Sequence, residues 1–237
     1  MNTLLYRDLG QLDYLSALSI QQKLLEMKQR NQFPDSLLLV EHPHVFTIGR
    51  GGKESNLLCA GEVPVYRTSR GGDITYHGPG QLVAYPLLDL RSKLRKDVHR
   101  YLRNLEFIAI HTLKDFGLTG TSTPPWTGVW IEKRKIVSMG VAVRRGITYH
   151  GLAMNVNTNL AYFNRIIPCG LWWAGVTSIQ QELGREISMV EVKTQFVEHF
   201  VKRFGYSELT EICREDIQIG SELEPQVASI ISASSGF

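Results

Sequence analysis

The 237-residue sequence is short of cysteine, of charge of one sign and of long apolar runs. Its three cysteines, Cys59, Cys169 and Cys213, are widely spaced, and no C-x-x-C pair occurs. That argues against a disulfide framework and against zinc; the thiols read as reduced, in a cytoplasmic protein. No run approaches the length of a membrane span. The N-terminus offers neither the basic start nor the apolar stretch of a signal peptide. Net charge is only +3 and the pI about 8.7. So slight a basic excess gives no ground for a nucleic-acid partner, although it leaves room for attraction to an acidic one. What is present is ordinary globular material. Hydrophobic residues make up 43% and charged residues 21%, enough apolar matter for one substantial core.

The chain is organised around a glycine-rich stretch, Ser69-Arg-Gly-Gly-Asp-Ile-Thr-Tyr-His-Gly-Pro-Gly-Gln81. Glycine lets backbone approach a ligand closely and adopt positive φ. An apolar run follows at once over residues 82–90 and reads as a buried strand. The stretch is therefore a loop pressed onto a core. It contains neither G-x-x-x-x-G-K-[ST] nor G-x-G-x-x-G, so it is not a phosphate loop of those kinds. Arg70, Asp73, Thr75, His77 and Gln81 bring more kinds of hydrogen-bonding group than a plain turn needs.

Along the chain, residues 3–9 read as a strand and 12–30 as an amphipathic helix. Residues 37–42 read as a buried strand, with 45–48 as its hairpin partner across Pro43-His44. Residues 63–67 form a short strand feeding the glycine loop. Asp97 caps a long helix that Gly117 ends. Residues 127–132, 135–143 and 147–156 form an antiparallel meander with turns at Lys133-Arg134 and Arg144-Arg145-Gly146. Helices follow near 178–183 and 188–204. From Ser207 onward the pattern is weak. Strands with helices between them argue for an α+β domain.

A few residues could carry chemistry. Cys169, in Pro168-Cys-Gly170, reads either as a small buried hydrophobe or as a nucleophile, and a nucleophile needs a positive neighbour. Lys135 opens a strand and reads as a solvated strand end or a functional amine. If that strand has no bulge, Lys135, Val137, Met139 and Val141 share one face. Gly140 and Gly151 lie inside strands, where glycine marks a bulge or a close approach. His150 either orients a partner or satisfies a core hydrogen bond. Trp172-Trp173 either lines an apolar slot or belongs to the core.

Taken together, the glycine stretch, Thr127-Gly-Val-Trp130, Lys135-Ile-Val-Ser-Met-Gly-Val141, His150-Gly-Leu-Ala153 with Asn155, and Pro168-Cys-Gly170 resemble the lipoyl/octanoyl transferases in motif order. These are octanoyl-[acyl-carrier-protein]:protein N-octanoyltransferases, lipoate biosynthesis protein B. The resemblance runs from about Leu4 to Tyr206. It implies a biotin/lipoate ligase-like α+β catalytic domain over residues 1–206, with a mixed, largely antiparallel curved sheet packed by helices. Residues 207–237 would be an extension of unknown role. It implies transfer of octanoyl from octanoyl-acyl carrier protein to a lysine of lipoyl domains, in 2-oxoacid dehydrogenase complexes and the glycine cleavage H protein. No cofactor, metal, nucleic acid or membrane is implied, and the protein would be a monomer.

The resemblance also implies roles. Cys169 would be the acyl-thioester nucleophile and Lys135 its activating partner. Arg70, Gly71, Gly72, Asp73, Ile74, Thr75, Tyr76 and His77 would line the substrate. So would Ser138, Met139 and Gly140, and Gly151, Leu152 and Ala153. The chemistry is self-consistent. Thioester exchange followed by aminolysis needs no ATP, and a covalent intermediate lets donor and acceptor use one site in turn. Tyr76, Leu152 and Trp172 are candidate walls for the acyl chain, and backbone N–H groups of the glycines candidate oxyanion donors. Two basic groups could dock an acidic carrier: Arg91, Lys93, Arg95 and Lys96, or Lys133, Arg134, Arg144 and Arg145. The competing readings are an ATP-dependent lipoate or biotin ligase, an amidotransferase between lipoyl domains, and a non-catalytic carrier-binding module.

Overall fold

The computed structural model describes residues 2–167 and 175–212. It opens with strand β1 (Thr3–Gln11), helix α1 (Tyr14–Gln29) and strands β2 (Ser36–Glu41) and β3 (Val45–Ile48). Three short strands follow: β4 (Val65–Arg67), β5 (Ile74–His77) and β6 (Gln81–Leu87). Helices α2 (Leu90–Lys93) and α3 (Val98–Asp115) precede β7 (Thr121–Thr123), β8 (Trp126–Ile131), β9 (Arg134–Arg144) and β10 (Ile147–Asn155). The described chain ends with β11 (Gly175–Val176), α4 (Ile179–Leu183), α5 (Met189–Phe204) and β12 (Glu208–Glu211).

The helix ends follow local chemistry. The side chains of Asp13, Asp97 and Ser188 accept from the backbone N–H of Ser16, Arg100 and Glu191, covering donors that the first turn leaves open. Helix α5 stops at Gly205, whose φ of 68° suits glycine.

The main sheet is nine-stranded, in the order β12-β1-β2-β6-β10-β9-β8-β7, with β11 beside β9. Strand β1 is parallel to both β2 and β12. From β2 onward the neighbours in this order are antiparallel, including the expected β8–β9–β10 meander, while β11 lies parallel to β9. Consecutive side chains of a strand point to opposite faces, which explains the unbroken apolar run of β2. Leu38 and Val40 meet Ala17, Ile20 and Leu24 of α1 on one face. Leu37 and Leu39 join Leu105 of α3 and Phe196 of α5 on the other. Both faces are buried, so these strands need no polar alternation.

Three expectations are corrected. Residues 45–48 are not the hairpin partner of β2, whose two edges are already taken by β1 and β6. They instead form the middle of a second sheet, β4-β3-β5. The glycine loop is not all loop, because Ile74–His77 is a strand of that sheet. Part of the weakly patterned stretch after Ser207 is ordered as β12, and Ile212 N–H donates to the Tyr6 carbonyl at 2.8 Å. Among the described residues no helix is long and apolar enough to cross a membrane.

Candidate active site

The small sheet leans over the middle of β9 and β10, and a cavity lies between them. Its walls come from Arg70, Gly72, Asp73, Thr75 and His77 above, and from Ser138, Met139, Gly140, Gly151, Leu152 and Ala153 below. Strand alternation sorts the glycine stretch. Thr75 and His77 face the cavity, whereas Ile74 and Tyr76 pack with Phe46 and Phe163 in the small sheet's own core. Tyr76 therefore does not wall the cavity; its hydroxyl meets His44 Nδ1 at 2.7 Å. Gly71 clamps the loop to the main sheet, donating to the Val141 carbonyl at 2.9 Å. Gly140 is glycine because Arg70 lies across it: a Cβ there would sit 2.9 Å from Arg70 Cδ and 2.9 Å from the Gly71 carbonyl oxygen.

Asp73 is committed to the loop. One carboxylate oxygen accepts from Ile74 N–H at 2.6 Å and Lys53 N–H at 3.2 Å, and the other from Asn56 Nδ2 at 2.5 Å. Arg70 is held by Thr47. It donates from Nε and Nη2 to the Thr47 hydroxyl at 3.2 and 2.9 Å, and from Nη2 to the Thr47 carbonyl at 2.5 Å.

The cavity walls missed by sequence reasoning are Tyr14, Val83 and Tyr85. Tyr85 carried a usable signal, a phenol inside an aliphatic strand, since a buried hydroxyl needs a partner. Its partner is His42 Nε2 at 2.8 Å, and His42 Nδ1 donates to the Leu12 carbonyl at 2.7 Å. His150 also lines the cavity, with Nε2 3.0 Å from the Ser69 hydroxyl. Three histidines are thus buried around the site. Burial lowers all three, His42 to about 4, His77 to about 3 and His150 to about 3, with Arg70 opposing the charge on the last two. They are neutral at pH 7. Burial likewise pushes the Tyr14 phenol up to about 12.

Lys135 lies further along β9 and is 6% exposed, so it is not a solvated strand end. Nor does it share a face with Val137. The β8–β9 register runs Val129↔Val137 and then Trp130↔Lys135, so one extra residue, Ile136, forms a bulge. Lys135 is turned to the face of Trp130, with Nζ 4.7 Å from that ring's centre. By alternation, Ser138 and Gly140 of the cavity floor share this face. Gly128 leaves room for the lysine stem, 3.4 Å from where a Cβ would stand. On its other side Lys135 pairs with β11, and its carbonyl accepts from Thr177 N–H at 3.0 Å. Cys169 and Trp172 lie outside the described residues, within residues 168–174. The flanks of that segment are described: Ile167 N–H donates to the Asn56 carbonyl at 2.8 Å, and Gly175 pairs with Arg134.

The sequence has many curated relatives. One, an octanoyltransferase of Solibacter usitatus, is 46% identical over 209 residues, covering 86% of this chain and 94% of the relative. Another, an octanoyltransferase of Rubrobacter xylanophilus, is 44% identical over 204 residues, covering 83% and 91%. Solved structures share the fold at low identity. A bipartite lipoate protein ligase of Thermoplasma acidophilum superposes with a TM-score of 0.68 at 18% identity, over 91% of this chain and 88% of the other. A biotin protein ligase of Aquifex aeolicus gives 0.51 at 12% identity, over 86% and 70%. The fold is the biotin/lipoate ligase-like α+β fold. The family model described as the lipoyl protein ligase A/B catalytic domain matches residues 13–201, and the chain belongs to that family.

Proposed function

We propose that this chain is an octanoyltransferase that moves octanoyl from an acyl carrier protein thioester to a lysine of a lipoyl domain, through a thioester on Cys169. In the first half-reaction the Cys169 thiolate attacks the donor carbonyl. A new C–S bond forms, the pantetheine C–S bond breaks, and the departing thiolate takes the proton that Cys169 gave up. In the second, the acceptor amine attacks. A C–N bond forms, the Cys169–acyl bond breaks, and the amine proton passes by way of Lys135 to the departing thiolate. No step consumes ATP. The carrier protein as donor, the lipoyl domains of 2-oxoacid dehydrogenase complexes and the glycine cleavage H protein as acceptors, the monomeric state and the cytoplasmic location all belong to this reading.

The observation that carries it is Lys135. It is a buried lysine turned by a bulge toward the cavity-floor face, paired with the strand that follows the Cys169 segment. A lysine can act as a cation beside a thiolate and as a base toward an incoming amine. One group can therefore support thiolate formation and then accept the acceptor's proton. The apolar side chains of Val83 and Ala153 in the cavity wall suit an alkyl chain. The neutral histidines add no charge beside it.

Intact mass spectrometry after mixing with octanoyl-carrier protein, without ATP, tests the proposal. An octanoyl adduct at Cys169 is expected, absent in Cys169→Ser and retained in Cys59→Ser and Cys213→Ser. Full transfer by Cys169→Ser, or a requirement for ATP, would overturn it.

A further inference from the structure

Lys135 is linked to the cavity by a buried chain of amides. His77 Nδ1 lies 2.7 Å from Gln81 Oε1. Gln81 Nε2 lies 3.2 Å from the Tyr76 carbonyl and 2.9 Å from Asn155 Oδ1. Asn155 Nδ2 lies 2.9 Å from the Thr177 carbonyl. Thr177 N–H then donates to the Lys135 carbonyl at 3.0 Å, and the Thr177 hydroxyl donates to Glu182. Glu182 is itself paired with Arg134, at 3.1 Å.

Donor counting orients every member. Gln81 Nε2 faces two oxygens, so its Oε1 is the acceptor and His77 Nδ1 carries the proton. Asn155 must present oxygen to Gln81 and NH₂ to Thr177. A flipped amide would set NH₂ against NH₂ and oxygen against oxygen. Gln81, Asn155 and Thr177 are 1%, 4% and 0% exposed, so water does not substitute for any link. A buried network satisfied in one orientation specifies one geometry. Beyond the sheet ladder, this chain supports β11 on the edge of β9 where Lys135 sits.

We propose that Asn155 is a positioning residue: through the Thr177 carbonyl it holds β11 against β9 and so fixes the placement of Lys135. The proposal rests on Lys135 acting in the transfer. Asn155→Asp keeps the shape and the acceptor for Gln81 but puts an oxygen where the donor to Thr177 was. Misplacing a catalytic group by about 1 Å costs up to a hundredfold.

The test combines two readouts on the full-length protein. Amide hydrogen exchange at Val176 and Thr177 reports the clamp. Single-turnover transfer of octanoyl from preloaded enzyme to a lipoyl domain, followed against pH, reports Lys135. Asn155→Asp should speed the exchange and slow transfer about ten- to a hundredfold, with an altered pH profile and a donor KM within about twofold. Thr148→Val is the control. It removes a buried hydroxyl that bonds Pro86 and Leu88 at the far end of β10, and it should leave transfer and pH profile unchanged. If Asn155→Asp does not fold, Asn155→Ser removes the same donor without charge and carries the same expectation. Unchanged exchange, unchanged transfer, or an equal loss in Thr148→Val would each overturn the proposal. A Lys135→Met arm separates the two failures: normal transfer there sinks the role of Lys135, whereas normal transfer only in the Asn155 variants sinks the positioning.

Discussion

The two ends of strand β9 carry the same kind of residue and treat it in opposite ways. At one end Lys135 is 6% exposed, turned by a bulge, flanked by Trp130 and paired with β11. At the other, Arg144 and Arg145 stand exposed at a regular hairpin turn, with Arg145 at φ 52°. The strand is eleven residues long, so its ends lie about 33 Å apart. A cation at the open end stays hydrated and charged and acts at a distance, where salt screens it. A cation at the closed end is shielded from solvent and acts only on what lies beside it, as proton transfer requires. The separation also regroups the basic surface. Lys133-Arg134 and Arg144-Arg145 cannot form one patch. The Arg144 turn instead meets α2, since a Cβ on Gly146 would sit 2.7 Å from Arg91 Cγ. Lys93 points inward, 3.6 Å from Asp35 and over the Tyr206 ring.

The largest expected effect breaks the closed end. Lys135→Met should slow both half-reactions by about 10²–10⁴-fold, the usual worth of a general acid–base group. Stopped single-turnover assays of Cys169 acylation and of transfer would measure each. A loss under tenfold in both would erase the distinction between the two ends.

The next effect concerns the histidines packed around the cavity. The folded-state pKa values of His42, His77 and His150 lie below the ordinary 6.5, so the folded protein binds fewer protons than the unfolded chain. Their contribution is complete above pH 6.5 and is lost as pH falls from there toward 4 and 3. Between pH 7 and 5.5 each should cost about 1.3 kcal/mol, up to about 4 kcal/mol together. Urea unfolding at the two pH values would show it. Equal stability at both would mean that these rings are protonated in the fold.

A smaller effect lies midway along β9. Gly140→Val drives a side chain into Arg70 and the Gly71 carbonyl, and should cost about 1–3 kcal/mol of stability while raising the donor KM. Wild-type KM in a folded Gly140→Val protein would remove Arg70 from the acyl site. The smallest effect belongs to the open end. Charge reversal at Arg144 and Arg145 should raise the carrier KM a few-fold at low salt, and should leave transfer from preloaded enzyme alone. If KM is insensitive to both charge and salt, the carrier docks elsewhere.

The sequence made the helices legible because their ends are chemical. Asp13, Asp97, Ser188 and Gly205 each cap a helix at or beside an expected boundary. The meander was legible from its turns. The bulge at Ile136 was not, because Ile136 and Val137 are both apolar and both buried. A strand covered on both faces offers no alternation for a bulge to interrupt. Strand β5 was hidden by the polar residues that make it useful: Thr75 and His77 face the cavity. Val45–Ile48 looked like a hairpin partner because adjacency in sequence is the default, and both edges of β2 were taken by strands distant along the chain. Arg70, Asp73, Thr75, His77, Gly140, Gly151 and His150 were legible as odd residues in their stretches, whereas Ser138, Leu152 and Ala153 were legible only through motif resemblance. Tyr14 and Val83 sat in stretches read as plain helix and plain core.

The central claim is that Lys135 acts as a cation in one half-reaction and as a base in the other. Lys135→Arg tests it most directly, since arginine keeps the charge and cannot give up its proton. In single-turnover assays the account predicts that Lys135→Arg retains measurable acylation of Cys169 by octanoyl-carrier protein and loses transfer to the lipoyl domain by at least about a hundredfold. Lost acylation with normal transfer would contradict it.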